Sequence, residues 1–129
     1  MRIATILLAD DDSGIRTVIS KALTRAGYIV RATGNAATLW SWISDGDGDL
    51  VITDVIMPEK NGLELLKEIR SDDNMKDLPV ILTMLEPFDE LISDGMKLRM
   101  NDYLVKPFDV FTLSKKLDNV IKTTGGESL

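Results

Sequence analysis

Carboxylates that directly follow apolar runs are the residues of this sequence best suited to chemistry. Three consecutive acids occupy positions 10–12 after one such run, and Asp54 ends another. Lys106 follows a third apolar segment, and Thr83 lies at the end of a fourth. A charge at the end of a buried strand is costly unless a partner uses it. We therefore expect Asp54 to face a functional site.

The acids call for a cation, because several carboxylates do not share one crevice without it. The sequence has no His and no Cys, so the ligands are oxygens, and oxygen ligands favour a hard ion such as Mg²⁺. Carboxylate, Mg²⁺, the Lys106 ammonium and a hydroxyl together suit a phosphoryl group. Asp54 would be the nucleophile and would form an aspartyl phosphate. The metal and Lys106 would neutralise charge on the transferred oxygens.

The bulk composition restricts the alternatives. A chain of 129 residues with 44% hydrophobic content suits one globular domain. The lack of Cys and His excludes disulfides, zinc sites, thiol chemistry and a histidine base. A net charge of −6 argues against direct binding of nucleic acid. The apolar run at residues 3–9 is too short to span a membrane and has no signal-peptide cleavage site, so we expect a soluble, cytoplasmic protein.

Apolar periodicity predicts five strands that alternate with five helices. Gly27 is expected to end the first helix in a left-handed conformation. Leu91, Ile92, Met96 and Leu98 are the candidate inward residues of the fourth helix. The predicted strands cover residues 3–9, 28–32, 50–54, 79–83 and 103–105, and the helices cover residues 13–26, 36–44, 63–70, 87–98 and 110–123.

This alternation is typical of an α/β fold with a parallel, doubly wound sheet and right-handed crossovers. Ligands of such sheets bind at the carboxyl ends of the strands. The acids of the first strand, Asp54, Thr83 and Lys106 all lie at such ends. The sequence therefore places several acids, a hydroxyl and an amine in one crevice.

Four segments, in this order and at this spacing, carry a resemblance to a known family. Residues 4–122 resemble the receiver domain of two-component response regulators, and residues 15–54 look most like receivers of the nitrogen-regulation class, which precede an ATPase domain and a DNA-binding domain. The resemblance implies a flavodoxin-like (βα)5 fold with strand order 2-1-3-4-5. The matching segments are Leu8-Ala9-Asp10-Asp11-Asp12, Asp54-Val55-Ile56-Met57-Pro58, Asn61-Gly62 and Asp102-Tyr103-Leu104-Val105-Lys106-Pro107-Phe108.

The resemblance implies a role for each acidic residue. Asp54 is implied to be the phosphoacceptor. Asp11 is implied to be a direct metal ligand, and Asp10 to act mainly through a metal-bound water. The backbone carbonyl of Ile56 would complete the protein's share of the Mg²⁺ shell, and Asp12 would flank the pocket.

The resemblance also implies a phosphoryl-binding cation, a switch and partners. Lys106 would pair with the phosphoryl group, with a cis bond to Pro107 that points the amine into the site. Tyr103 would move between outward and inward positions, although strand propensity alone also explains an aromatic there. A histidine kinase would supply the phosphoryl group. The modified state would act on an output domain or partner through the surface of the fourth helix, fifth strand and fifth helix, and a homodimer is left open.

One position departs from the family pattern. A Thr or Ser usually lies five residues after the proline that opens the fourth strand, and here Met84 has that place. Thr83 is one residue early, and a shift of one residue turns a strand side chain to the opposite face. The sequence favours the absence of the switch hydroxyl; a local shift that rescues Thr83 is the alternative.

The sequence thus predicts a signalling domain that catalyses only its own modification, over residues 1–123, with residues 124–129 as a flexible tail or the start of a linker. An atypical receiver that binds partners independently of phosphorylation is the second interpretation. A small Mg²⁺-dependent phosphatase is the third. It would normally want a second acid two residues after Asp54, where Ile56 stands.

Overall fold

The computed structural model describes residue 3 and residues 5–124. Ala4 and residues 125–129, which include most of the predicted tail, lie outside the described residues. Strand and helix alternate five times within the described part. The elements are β1 Thr5–Ala9, α1 Ser13–Arg25, β2 Ile29–Thr33, α2 Ala36–Ser44, β3 Leu50–Asp54, α3 Gly62–Ser71, β4 Val80–Met84, α4 Asp89–Lys97, β5 Asp102–Val105 and α5 Val110–Thr123.

The strands form one parallel sheet in the order β2-β1-β3-β4-β5. This confirms the predicted α/β class, the doubly wound architecture and the strand order. The central strand β3 is buried along its whole length, because helices cover both faces of the sheet. The edge strand β2 contains no fully buried residue.

Alternating side chains of the strands build a hydrophobic core on each face of the sheet. We call the side covered by α1 and α5 the α1/α5 face, and the side covered by α2, α3 and α4 the α2–α4 face. The core of the α1/α5 face includes Ile6, Leu8, Ile52, Ile81 and Leu104 from the strands. The core of the α2–α4 face includes Leu7, Val51, Leu82 and Met84.

Side-chain caps fix where four helices begin at the carboxyl end of the sheet. Asp12, Asn35, Asn61 and Asp109 accept hydrogen bonds from backbone N–H groups in the first turns of α1, α2, α3 and α5. Such caps satisfy donors that have no partner inside the helix. Gly27 follows α1 with a φ of 101°, which confirms its predicted role.

Two expectations about the helices were inaccurate. Met96 was a candidate inward residue of α4, but it is 67% exposed. The helix itself is shorter than predicted, and its N-cap residue Phe88 offers no side-chain cap. Gly95 is the buried residue of α4, and Met100 packs over it, because an added Cβ would lie 2.5 Å from the Met100 sulfur.

Among the described residues, every helix is too short or too polar to cross a lipid bilayer.

Candidate functional site

Asp54 lies at the carboxyl end of β3, where it is only 6% exposed. The loop that follows turns back over it, and the Ile56 N–H donates to Asp54 Oδ1 at 3.3 Å. The start of α3 packs directly on the same backbone, because a Cβ on Gly62 would lie 2.8 Å from the Asp54 carbonyl oxygen. A glycine at this position therefore lets α3 approach the strand end closely.

The acidic triplet after β1 divides into three different environments. Asp10 is buried at 1% exposure, and its Oδ1 accepts a hydrogen bond of 2.9 Å from the Asp12 N–H. Asp11 is exposed at the mouth of the crevice. Asp12 is also exposed and is occupied as the α1 cap, with its Oδ1 accepting from the Ile15 N–H at 3.0 Å.

The fold brings Asp10, Asp11 and Asp54 together, as the alternation of strands and helices predicted. One carboxylate oxygen of each residue lies within 4.8 Å of the others. Hard oxygen donors at this spacing fit Mg²⁺, which prefers carboxylates and retains part of its water shell. Ile56, predicted to contribute its carbonyl, lies two residues beyond Asp54 in the adjoining loop with its side chain 72% exposed.

Lys106 reaches the same crevice from the end of β5. Its ammonium Nζ lies 2.8 Å from Asp54 Oδ2 and 3.1 Å from Asp10 Oδ2. Its backbone N–H donates to the Met84 carbonyl at 2.8 Å, which continues the β4–β5 pairing. The peptide bond between Lys106 and Pro107 is cis. One buried cation therefore bridges two buried carboxylates.

Burial and charge act in opposite directions on this pair. Burial raises the pKa of Asp54 above its usual value, although the Lys106 ammonium and the Ile56 N–H oppose that rise and the Asp10 charge adds to it. Burial alone would lower the pKa of Lys106, but its hydrogen bonds to Asp54 and Asp10 outweigh burial and raise it. Lys106 is consequently a fixed positive charge at neutral pH.

Thr83 and Met84 occupy opposite faces of β4. Thr83 is the register partner of Asp54, so both side chains belong to the α1/α5 face. Its Oγ1 is buried and has no hydrogen-bond partner among the described residues. Met84 lies in the core of the α2–α4 face, where Tyr103 packs against the same cluster. The position where the family pattern has a hydroxyl thus carries a thioether here.

Tyr103 is held in place by a residue that the sequence did not single out. The Lys116 Nζ lies 4.5 Å from the centre of the Tyr103 ring. The same ammonium donates to the Tyr103 carbonyl at 2.7 Å and to Asp102 Oδ1 at 3.1 Å. In the sequence alone, Lys116 looks like an ordinary solvent-exposed lysine of the last helix.

Arg16 of α1 is the second residue that sequence reasoning missed. Its Nη1 donates to the backbone carbonyl of Asp10 at 2.6 Å. No signal in the sequence could have found this contact, because its acceptor is a main-chain atom placed there by the fold.

Known proteins resemble this chain over most of its length. A family model described as response regulator receiver domain matches residues 6–118. The DNA-binding transcriptional regulator NtrC of Rhizobium meliloti (strain 1021) is 51% identical over 110 residues, which are 85% of this chain and 22% of that protein. A chemotaxis protein CheY homolog of Campylobacter jejuni subsp. jejuni serotype O:23/36 (strain 81-176) is 36% identical over 124 residues, which are 95% of each chain.

Solved structures extend the likeness to three dimensions. The chemotaxis response regulator CheY4 of Vibrio cholerae superposes with a TM-score of 0.85 at 31% identity, over 92% of this chain and 98% of that one. A response regulator receiver domain protein from Clostridium thermocellum gives a TM-score of 0.86 at 27% identity, over 95% and 98% of the two chains. The chain spans about a fifth of the length of the NtrC proteins that it matches, 22% in the R. meliloti case.

Proposed function

We propose that Asp54 is a phosphoacceptor, because this chain belongs to the response regulator receiver domain family and is a receiver domain of two-component signalling. The observation that carries this proposal is the arrangement around Asp54. A buried carboxylate at the end of the central strand has a buried ammonium 2.8 Å away. Two further carboxylates stand beside it.

The proposed step transfers one phosphoryl group from a phosphohistidine of a partner histidine kinase. A carboxylate oxygen of Asp54 attacks phosphorus and forms a P–O bond while the P–N bond to the imidazole breaks. The bonding electrons leave with the imidazole nitrogen, which then takes a proton from solvent. The Lys106 ammonium is already beside the reacting oxygens and offsets negative charge that builds up on them.

The chain's own oxygens suit a divalent cation at this place. Asp10, Asp11 and Asp54 would hold Mg²⁺, Asp10 mainly through water, with the carbonyl of Ile56 completing the set. When bound, Mg²⁺ supplies positive charge that screens the carboxylates from one another and from an incoming phosphoryl group. Lys106 holds Asp10 and Asp54 in the crevice by pairing with both.

The proposed output surface consists of α4, β5 and α5. Exposed apolar side chains support it, since Met96 and Phe111 are 67% and 70% exposed and Phe88 beside α4 is 64% exposed. Exposed hydrophobic groups of this kind commonly mark protein interaction sites. We propose a histidine kinase as the upstream partner and an output domain or separate protein as the downstream one, in the cytoplasm and without direct contact to nucleic acid.

Incubation with Mg²⁺ and a small phosphodonor such as acetyl phosphate, followed by intact mass spectrometry, tests the proposal. We expect a mass gain of one phosphoryl group in the wild-type chain and none in Asp54→Asn. Asp11→Asn is expected to lower the rate, because it removes a proposed metal ligand. Asp73→Asn, an acid in the loop after α3 at the far end of the sheet, is the matched control and should react like wild type. A mass gain that persists in Asp54→Asn would contradict the assignment.

A second function is favoured by one specific observation. Met84 fills the position of the usual switch hydroxyl with an apolar side chain that is 2% exposed. We therefore infer that an interaction module independent of phosphorylation is the alternative. Its test compares partner capture by wild type with and without phosphodonor and by Asp54→Asn; equal capture in all three favours the alternative.

A further inference from the structure

The carbonyl of Asp10 lies just beyond the point where strand pairing stops. The Asp10 N–H still pairs with the Thr33 carbonyl of β2 at 3.1 Å. In a parallel ladder the Asp10 carbonyl would next accept from the amide of Asn35. That amide donates instead to Thr33 Oγ1 at 3.1 Å, as the chain turns into α2. The buried Asp10 carbonyl is thereby left without its ladder partner.

Arg16 takes the place of the missing amide. Its Nη1 donates to the Asp10 carbonyl at 2.6 Å from the end of the first turn of α1. A charged donor makes a stronger hydrogen bond than a neutral amide. The same residue, Asp10, uses its side chain to accept from Lys106 and from the Asp12 N–H. Arg16 therefore fixes the main chain from which the acidic crevice is built.

Gly34 provides the space that this contact needs. A Cβ at position 34 would lie 2.6 Å from Arg16 Nη1 and 3.5 Å from the Asp10 carbonyl oxygen. The φ of Gly34 is not in the left-handed region, since the positive-φ glycines among the described residues are Gly27 and Gly46. The close approach of the guanidinium, not the backbone conformation, is thus what a side chain at position 34 would disturb.

We propose that Arg16 is a positioning residue for the divalent-cation site. It acts through the Asp10 main chain, and Gly34 leaves the space that its guanidinium occupies. This inference rests on the proposed function, because the cation site is part of that proposal. Arg16 itself is not expected to touch the cation or the phosphoryl group. Its contribution is to keep the Asp10 and Asp11 carboxylates within reach of Asp54.

The positioning contact and the positive charge of Arg16 have opposite expected effects on Mg²⁺ affinity, so a measurement of that affinity separates them. Removing a positive charge near the acids would by itself tighten Mg²⁺ binding, whereas losing the positioning contact would weaken it. Gly34→Ala keeps the arginine charge but displaces the guanidinium. Because the displaced atom is the end of a flexible side chain, this variant is expected to fold.

The test is a calorimetric Mg²⁺ titration of the whole chain and its variants. We expect Arg16→Met and Gly34→Ala each to weaken Mg²⁺ affinity by about tenfold, the size typical for residues that orient metal ligands. The double variant should be no weaker than either single one, since both act through one contact. Arg16→Lys should restore part of the affinity. Arg25→Met, an exposed arginine in the last turn of the same helix, is the charge-matched control and should stay within about twofold.

Each outcome separates this inference from the proposed function. Thermal unfolding of every variant without Mg²⁺ verifies that it is folded at the titration temperature. Wild-type affinity in Arg16→Met, or tighter binding there with no change in Gly34→Ala, would overturn the positioning role while leaving Asp54 phosphorylation intact. A wild-type chain that binds no Mg²⁺ would overturn this inference together with the metal part of the proposed function.

Discussion

Lys106 allows two carboxylates to share a buried crevice. Its side chain is 7% exposed, and those of Asp10 and Asp54 are 1% and 8% exposed. A buried charge pair contributes little net stability, but removing one partner leaves an uncompensated charge. Substitution of Lys106 is therefore expected to destabilise the site more than substitution of Asp10 or Asp54.

Lys106→Met is expected to destabilise the fold at neutral pH by about 3 kcal/mol. Without the ammonium, the pKa of Asp54, already raised by burial, rises further in the folded state. A group whose pKa is higher in the folded than in the unfolded state stabilises the fold at pH values below its unfolded pKa. That stability is lost as the pH rises through its folded pKa. The penalty should therefore be largest at neutral pH and smallest below about pH 4, near the unfolded pKa of an aspartate.

Urea unfolding of Lys106→Met across pH provides the measurement. Asp54→Asn combined with Lys106→Met is the control. It should recover part of the lost stability, because it removes one of the two buried carboxylates that have lost their cation. A penalty that does not change with pH would contradict the electrostatic explanation.

Thr83→Val is expected to stabilise the protein by about 1 kcal/mol. It replaces a buried hydroxyl, which has no hydrogen-bond partner in the part of the chain that the structure describes, by an apolar group of the same shape. Thr53→Val is a matched control on the neighbouring strand, because the Thr53 hydroxyl donates to the Asp54 carbonyl at 3.2 Å and its loss should be destabilising. The midpoint of urea unfolding distinguishes the two. Equal losses in both variants would show that the Thr83 hydroxyl has a partner.

The sequence could predict that the acids and Lys106 meet, because strand ends of a parallel sheet share one edge. It could also predict that Thr83 and Met84 face opposite sides, because side chains alternate along a strand. It could not predict Arg16 or Lys116. Both donate to main-chain carbonyls. Every residue has a carbonyl, so the residue types do not show which one will accept.

At the scale of elements, α3 is tied to its neighbours by one guanidinium. Arg70 donates five hydrogen bonds, four of them to backbone carbonyls. They join the end of α3 to the loop before β4 and to the segment between α4 and β5. Burial, followed by the nearby Arg99 charge, lowers the pKa of Arg70. The carboxyl end of α4 is therefore anchored, whereas its amino end has no side-chain cap.

Arg70→Met is expected to cost about 2–3 kcal/mol, because several carbonyls lose a charged donor at once. Arg70→Lys should recover little, since an ammonium lacks the planar fork that reaches separated acceptors. Hydrogen exchange should speed up at Asn101, whose N–H donates to the Val80 carbonyl. Unchanged exchange at Asn101 in Arg70→Met would contradict the anchoring role.

Element positions were predictable where apolar periodicity was strong. The predicted bounds of α2, β3 and α5 match the structure, because each combines a buried stripe with clear turn residues at its ends. α4 was predicted too long, since residues 87–88 and 98 extend its apolar pattern without being helical. Leu91, Ile92 and Leu98 pack against the α2–α4 core as predicted, whereas Met96 is exposed, and the periodicity alone does not separate the two cases.

At the scale of the whole molecule, the two hydrophobic cores lie on the two faces of one sheet. The strands β1, β3, β4 and β5 each contribute side chains to both cores, so loss of the sheet would disrupt both faces at once. Small single domains of this kind usually unfold in one cooperative step.

Trp40 and Trp42 both lie in α2 and pack against the α2–α4 core, so their fluorescence reports on that face alone. We expect the urea midpoint from tryptophan fluorescence to coincide with the midpoint from far-ultraviolet circular dichroism. Leu117→Ala, on the opposite face and 3% exposed, should shift both midpoints equally. A shift in circular dichroism without a shift in fluorescence would mean that the faces unfold separately.

The side chain that stands in for a strand amide at Asp10 has an evolutionary consequence. A backbone hydrogen bond is the same whatever residue supplies it, so selection can change it only by changing the path of the chain. Arg16 makes the corresponding bond from a side chain, so a single codon can loosen, weaken or restore it while the sheet remains as it is. Relatives with different residues at positions 16 and 34 would then differ in cation affinity without differing in fold.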